Sequence, residues 1–99
     1  MDELLVGLKS KLHITWNDDD VELQKLINRA KAYFKRLTGK SFSFGPDDDE
    51  TELLFERCRY VYNNAADEFE KNFADELNRL IRFVALEKRA AANGEQKVP

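Results

Sequence analysis

Apolar residues recur along this chain with a helical period, and four stretches carry the pattern. Leu4, Leu5, Leu8 and Leu12 fall on one helical face. Interrupted by Gly7, they predict a first helix over residues 2–12, ending near His13. Ile14-Thr15-Trp16 is β-branched and aromatic but too short to define a strand. Leu23, Leu26, Ile27, Ala30, Phe34 and Leu37 then follow at i, i+3, i+4, i+7, i+11 and i+14. They predict a second helix over 19–38. Asn17-Asp18-Asp19-Asp20 supplies its cap and an anionic first turn. Lys35 and Arg36 complement its carbonyl end, and Gly39 suits the left-handed position beyond it.

Residues 40–50 break the period. Ser41, Ser43, Gly45 and Pro46 read as a loop. Phe42 and Phe44 alternate with them and either anchor the loop to the core or bind a partner. Asp47-Asp48-Asp49-Glu50 closes the loop and opens a third helix over 49–66. Its seam is Leu54, Cys58, Val61 and Ala65, flanked by Phe55 and Tyr62. Asn63 and Asn64 weaken its end. Residues 67–73 fit either continued helix or a turn, with Phe69 and Phe73 as an i, i+4 pair in both. Leu77, Leu80, Ile81 and Val84 predict a fourth helix over 74–90. Ala90-Ala91-Ala92 can extend it, and Asn93-Gly94 is expected to end it.

The pattern describes an all-α fold: a small bundle of about four helices with a long loop between the second and third and a flexible C-terminal tail. The helical domain is placed at 1–88 and the tail at 89–99. The expected core is Leu26, Ile27, Ala30, Phe34, Leu54, Cys58, Val61, Leu77, Leu80 and Ile81. The tail either stays solvated or orders against a partner, as segments that fold on binding do.

Composition narrows the function. At 99 residues the chain is one domain. So short a chain buries only about 60–65% of its unfolded surface, and association is a natural way to extend the core. No apolar run approaches the roughly 18 residues of a membrane span, so no membrane partner is expected. The acidic Met1-Asp2-Glu3 start is unlike the basic opening of a secretory signal. A single cysteine forms no internal disulfide, and a single histidine beside it excludes a Cys/His zinc site within one chain. A reducing cytoplasm and no cofactor are expected. The net charge of −3 gives no general attraction for nucleic acid.

The candidate chemistry is sparse. Read as EF-hand loops, the acidic runs put Leu23 or Glu52 where glycine is required, and Arg29 or Cys58 where glutamate is required. Charges at helix N-termini are the simpler reading. Cys58 sits on an apolar seam with only His13 as a conceivable base, which favours a buried structural thiol. Phosphate-loop, dinucleotide, kinase and hydrolase motifs are absent, and no catalytic or metal residues are assigned. The second helix is basic outside: Lys25, Arg29, Lys31, Lys35, Arg36 and Lys40 face only Glu22. Lys25, Arg29, Lys35 and Arg36 are either a solvated face or a surface toward DNA phosphates.

Two stretches carry a family resemblance. Asn17-Asp18-Asp19-Asp20 leads into Leu23, Leu26-Ile27, Ala30, Tyr33 and Thr38-Gly39. Residues 59–77 combine Arg59-Tyr60, Asn63-Asn64, Phe69-x-x-Asn72-Phe73 and a last helix. Over about residues 2–86 the chain resembles the head–tail connector proteins, also called adaptor or head-completion proteins, of long-tailed bacteriophages and prophages. The resemblance implies a non-enzymatic virion protein, assembled in the host cytoplasm and resident at the head–tail interface. It implies a homo-oligomeric ring beneath the portal protein, through which double-stranded DNA passes without sequence recognition. A stopper or tail-completion protein would bind below. Candidate partner contacts are Phe42, Phe44, Asp47, Asp48, Asp49, Lys88 and Arg89. The alternative is a small nucleic-acid-binding regulator using the basic face of helix 19–38.

Overall fold

The computed structural model describes residues 3–45 and 48–97, with side chains described as far as Ala90. The described residues form five helices and no strand: α1 (Glu3–Lys11), α2 (Asp20–Thr38), α3 (Asp49–Tyr62), α4 (Ala66–Asn72) and α5 (Ala74–Lys97). The helices α1, α3 and α5 pack around α2, and α4 bridges α3 to α5.

The seam of α2 is the floor of the core. Leu23, Ile27, Ala30 and Phe34 are buried there against Leu54 and Cys58 of α3, Phe69 of α4 and Leu77 of α5. Leu4, Leu5 and Leu8 of α1 join them, as does Ile14. Aromatic rings fill the centre edge to face: Phe34 lies 6.4 Å from both Phe44 and Phe69, centroid to centroid. Leu26 and Leu80 are half-buried and pack on this cluster. Val61 and Ile81 are also half-buried but lie outside it. Val61 lies in the last turn of α3, and Ile81 sits at the flank of its helix's core face, to one side of Leu77 and Val84 on α5.

Three helices end by one physical device. Gly39 follows α2 at φ 79° and donates its N–H to the Lys35 carbonyl at 2.7 Å. His13 (φ 60°) and Asn64 (φ 59°) take the same left-handed position after α1 and α3. There Ile14 N–H reaches the Lys9 carbonyl at 2.8 Å, and Ala65 N–H reaches the Tyr60 carbonyl at 2.7 Å. Both are six-to-one bonds of the Schellman type. So α3 stops at Tyr62 rather than 66, because Asn64 tolerates the left-handed conformation. Residues 67–73 resolve as the short helix α4, set off from α5 at Phe73. Helix α5 runs past 90 through Asn93-Gly94 to Lys97. Glycine inside a helix costs only about 1 kcal/mol and halts one chiefly by turning left-handed, which Gly94 does not do.

Polar contacts fix the helix order. The Lys9 ammonium is buried at the α1–α2 corner, where it donates to Asn17 Oδ1 and Asp20 Oδ1, both at 2.7 Å. Arg57 lies 4.1 Å above the Tyr33 ring and donates to the Ala66 carbonyl at 3.4 Å. It thereby holds the start of α4 against α2 and α3.

Candidate assembly surfaces

The loop between α2 and α3 is folded onto the core rather than offered to solvent. Phe44 takes φ 52°, which costs an L residue roughly 1–2 kcal/mol. Its ring is 6% exposed and packs against Phe34; burying it offsets that strain. Phe44 is therefore core, which corrects its assignment as a partner contact. Phe42 is half-buried on the same cluster, 5.7 Å from Phe44, with the Lys40 ammonium 5.1 Å over its ring. Beyond it Gly45 N–H donates to Asp48 Oδ2 at 2.8 Å, and Thr51 Oγ1 donates to the Gly45 carbonyl at 2.6 Å. Asp48 thus closes the loop from the N-cap of α3. Asp49 is exposed in the first turn, and Asp47 lies outside the described residues.

An open groove of about 840 Å³ runs between α3 and α5. Its floor is apolar: Leu53, Phe73, Leu80 and Phe83. Its rim carries the carboxylates of Asp48, Asp49, Glu50, Glu52, Glu56 and Glu76 against one cation, Arg79. Phe83 is 56% exposed and Leu86, three residues on along α5, is 61% exposed, so the apolar floor continues outward along that helix. Three of these carboxylates already have cation partners: Glu76 lies 3.8 Å from Arg79 and Glu52 3.4 Å from Lys11. Glu56 accepts from Arg59 Nη2 at 2.6 Å and pairs with Lys11 at 3.1 Å. Burial is the largest single influence on its carboxyl and pushes the pKa up, but the bonds from Arg59 and Lys11 together outweigh it and hold it below the ordinary value.

The opposite polarity lies on α2. At 100° per residue, Lys25, Arg29 and Arg36 share one outward stripe with Val21 and Ala32, and Lys35 sits beside it. All are exposed, and Tyr62 of α3 flanks the Lys25–Arg29 end. Lys25 approaches Glu22 at 3.5 Å. Among the described residues Arg29, Lys35 and Arg36 form no ion pair. Sequence periodicity placed this stripe but not the groove, whose two walls come from helices far apart in the chain.

Among the described residues the distal part of α5 is anchored at the level of Glu87 and Lys88. Lys88 Nζ donates to the Gly39 carbonyl at 3.2 Å, and Lys40 pairs with Glu87 at 2.8 Å. Arg89 is exposed. Val84 is the last buried side chain described on this helix.

Cys58 is buried and is not poised as a nucleophile. Burial pushes the Cys58 thiol up to about 12, with the nearby Arg57 charge a smaller opposing influence. His13 is exposed at the end of α1. Among the described residues no group of His, Cys, Asp and Glu is arranged to hold a metal, and no helix is long and apolar enough to cross a membrane.

The second conspicuous sequence stretch has a structural role. Asn72 Nδ2 donates to the Tyr60 hydroxyl at 3.0 Å. The Tyr60 ring lies 5.8 Å from both Phe69 and Phe73, which stack at 5.1 Å. Arg59, Tyr60, Phe69, Asn72 and Phe73 are thus the joint that folds α4 back between α3 and α5. Thr38 Oγ1 donates to the Phe34 carbonyl at 2.8 Å and accepts from Lys40 N–H at 3.2 Å, so Thr38-Gly39 is the corresponding joint at the end of α2. A family model described as phage gp6-like head-tail connector protein matches residues 3–90. No curated protein and no solved structure matches the chain.

Proposed function

The chain belongs to the phage gp6-like head-tail connector family, and on that premise we propose that it forms a ring beneath the portal protein at one capsid vertex. Membership gives it a structural role in the virion, at the junction of head and tail, in a family that is structural rather than enzymatic. In the proposed arrangement packaged double-stranded DNA passes through the ring. A stopper or tail-completion protein binds its far side, and the subunit is made and recruited in the host cytoplasm. The helical domain is 1–88, and residues 89–99 act as a tail that reaches the portal or a neighbouring subunit.

The observation that carries this reading is the family match across nearly all of the helical domain. The surface is consistent with it. A small bundle with an exposed Phe83 and Leu86 and segregated charge has apolar area to bury on neighbours. The residues left for the portal are Phe42, Lys88 and Arg89, with Asp47 as a further candidate from the sequence; Asp48 and Asp49, the other acidic candidates, stand on the rim of the α3–α5 groove.

The test uses purified protein and DNA-filled heads that lack their connector. Added protein should attach to the portal vertex and protect packaged DNA from leakage and nuclease. Heads that take up no protein and retain no more DNA than untreated ones would rule the connector reading out.

The unpaired stretch of Arg29, Lys35 and Arg36 supports one other reading, a nucleic-acid-binding regulator. It calls for tight binding to one duplex sequence over random competitor. A channel-lining stripe gives only weak, sequence-independent and steeply salt-dependent binding, and Ala at Lys25, Arg29 and Lys35 would flatten that salt slope.

A further inference from the structure

The groove between α3 and α5 sets strict terms for whatever fills it. Of the six carboxylates on its rim, Glu52, Glu56 and Glu76 already pair with Lys11, Arg59 or Arg79. Asp48, Asp49 and Glu50 form no ion pair among the described residues, so the rim keeps an excess of negative charge and its occupant brings cations. Its floor of Leu53, Phe73, Leu80 and Phe83 continues to an exposed Leu86, so the occupant also brings apolar surface. Nucleic acid fails the first requirement, because its phosphates would meet the carboxylates.

The same chain carries a surface of the required kind. The outer stripe of α2 alternates small apolar side chains, Val21 and Ala32, with Lys25, Arg29 and Arg36. From Lys25 to Arg36 it runs about 16 Å at 1.5 Å per residue. Val21 is 68% exposed and Tyr62, also exposed, flanks the stripe. The stripe lies on the side of α2 turned away from its core seam, so it does not reach the groove of its own chain.

Resting on the connector reading above, we propose that the α3–α5 groove of one copy receives the outer α2 stripe of a second copy. The contact is heterologous: each copy offers its stripe to one neighbour and its groove to the other. Contacts of that kind generate a ring when the rotation closes. Charge fixes the pairing and suppresses the like-with-like alternatives, since groove against groove or stripe against stripe sets like charges face to face. The stripe is then an interface between subunits and does not line the channel.

Two charge-reversed variants test this. One carries Arg29→Glu and Arg36→Glu on the stripe, the other Glu52→Lys and Glu76→Lys on the groove. Sedimentation velocity of the full chain is followed up to about 1 mM at low and high salt. Wild-type protein should self-associate, less so at high salt. Each variant alone should remain monomeric, and an equimolar mixture of the two should associate again. Phe83→Ser, at an exposed position, should weaken wild-type association at least about tenfold and decides the matter if a reversed variant misfolds.

Wild-type protein that stays monomeric throughout the series overturns the proposal. So does association that survives either reversal, or a mixture that fails to restore it. If the stripe reversal abolishes duplex binding while association is unchanged, the stripe faces DNA and the proposal is wrong. Attachment to connector-less heads separates this failure from that of the premise. Heads that accept wild-type protein keep the connector role whatever the sedimentation shows, and heads that refuse it remove that role even if the copies associate.

Discussion

Gly7 lies directly against the ring of Phe55: a β-carbon at position 7 would come within 2.7 Å of Phe55 Cζ. The glycine that interrupts the leucine face of α1 is therefore the point where α1 meets α3. Gly7→Ala gains up to about 1 kcal/mol of helix propensity but forces the Phe55 ring to move. Overpacking of this kind typically costs about 1–3 kcal/mol. The expected result is a lower thermal midpoint. A raised midpoint would mean that the ring swings aside freely and that α1 is loosely seated.

The Glu56 cluster predicts an acid-sensitive contact. Its carboxyl titrates below the ordinary value of 4.5 in the folded protein. The stabilisation is therefore complete above pH 4.5 and lost as pH falls through the lower folded value. Lys11, raised above 10.5 chiefly by its hydrogen bond to Glu56, contributes below that value and loses its share at higher pH. Chemical denaturation from pH 6 down to 3 should show Glu56→Gln losing less stability than wild type over the acid part. Parallel curves would show that the cluster contributes nothing.

Phe44→Ala should cost about 3–5 kcal/mol, in line with truncation of a buried phenylalanine, because the ring is part of the core. Loss of head attachment in that variant would then be a folding effect. Equilibrium unfolding separates the two: a change below about 0.5 kcal/mol, the range of surface positions, would return Phe44 to the partner surface.

Much of this was legible in the sequence, and the exceptions have physical causes. The period of α2 was legible, since Leu23, Ile27, Ala30 and Phe34 keep one spacing for the whole helix, but the expected core names Leu26, which is half-buried, and omits Leu23, which is fully buried. The two Asn at 63 and 64 signalled an end to α3, but not that Asn64 itself would take the left-handed position. Seven residues of α4 are too few for periodicity to separate helix from turn. Alternation alone does not separate core from partner contact for Phe44, because its burial depends on a left-handed turn at φ 52°. Lys9 is buried although nothing in the local pattern marks it, since its partners are Asn17 of the α1–α2 connection and Asp20 at the start of α2. The groove was invisible for the same reason. Asp48, Asp49 and Glu50 belong to the run 47–50 that reads as charges at a helix start, and only the placement of α5 beside α3 sets them around Phe73, Leu80 and Phe83.

Deleting residues 89–99 should leave the domain folded with its stability within about 0.5 kcal/mol of wild type, because Val84 is the last buried side chain described on α5 and Lys88 keeps its bond to Gly39. The truncated protein should attach less well to portal-bearing heads. Equal attachment would leave the tail a solvated terminus with no part in docking.

The central claim is that this chain builds a ring at the portal vertex, and the most direct measurement is an image of that vertex. Connector-less, DNA-filled heads are incubated with purified protein and their portal vertices averaged by electron microscopy. The account predicts an annulus of added density coaxial with the portal, with repeated subunits and an open centre wide enough for duplex DNA. A vertex indistinguishable from that of untreated heads, or density scattered over the capsid without a ring, would contradict it.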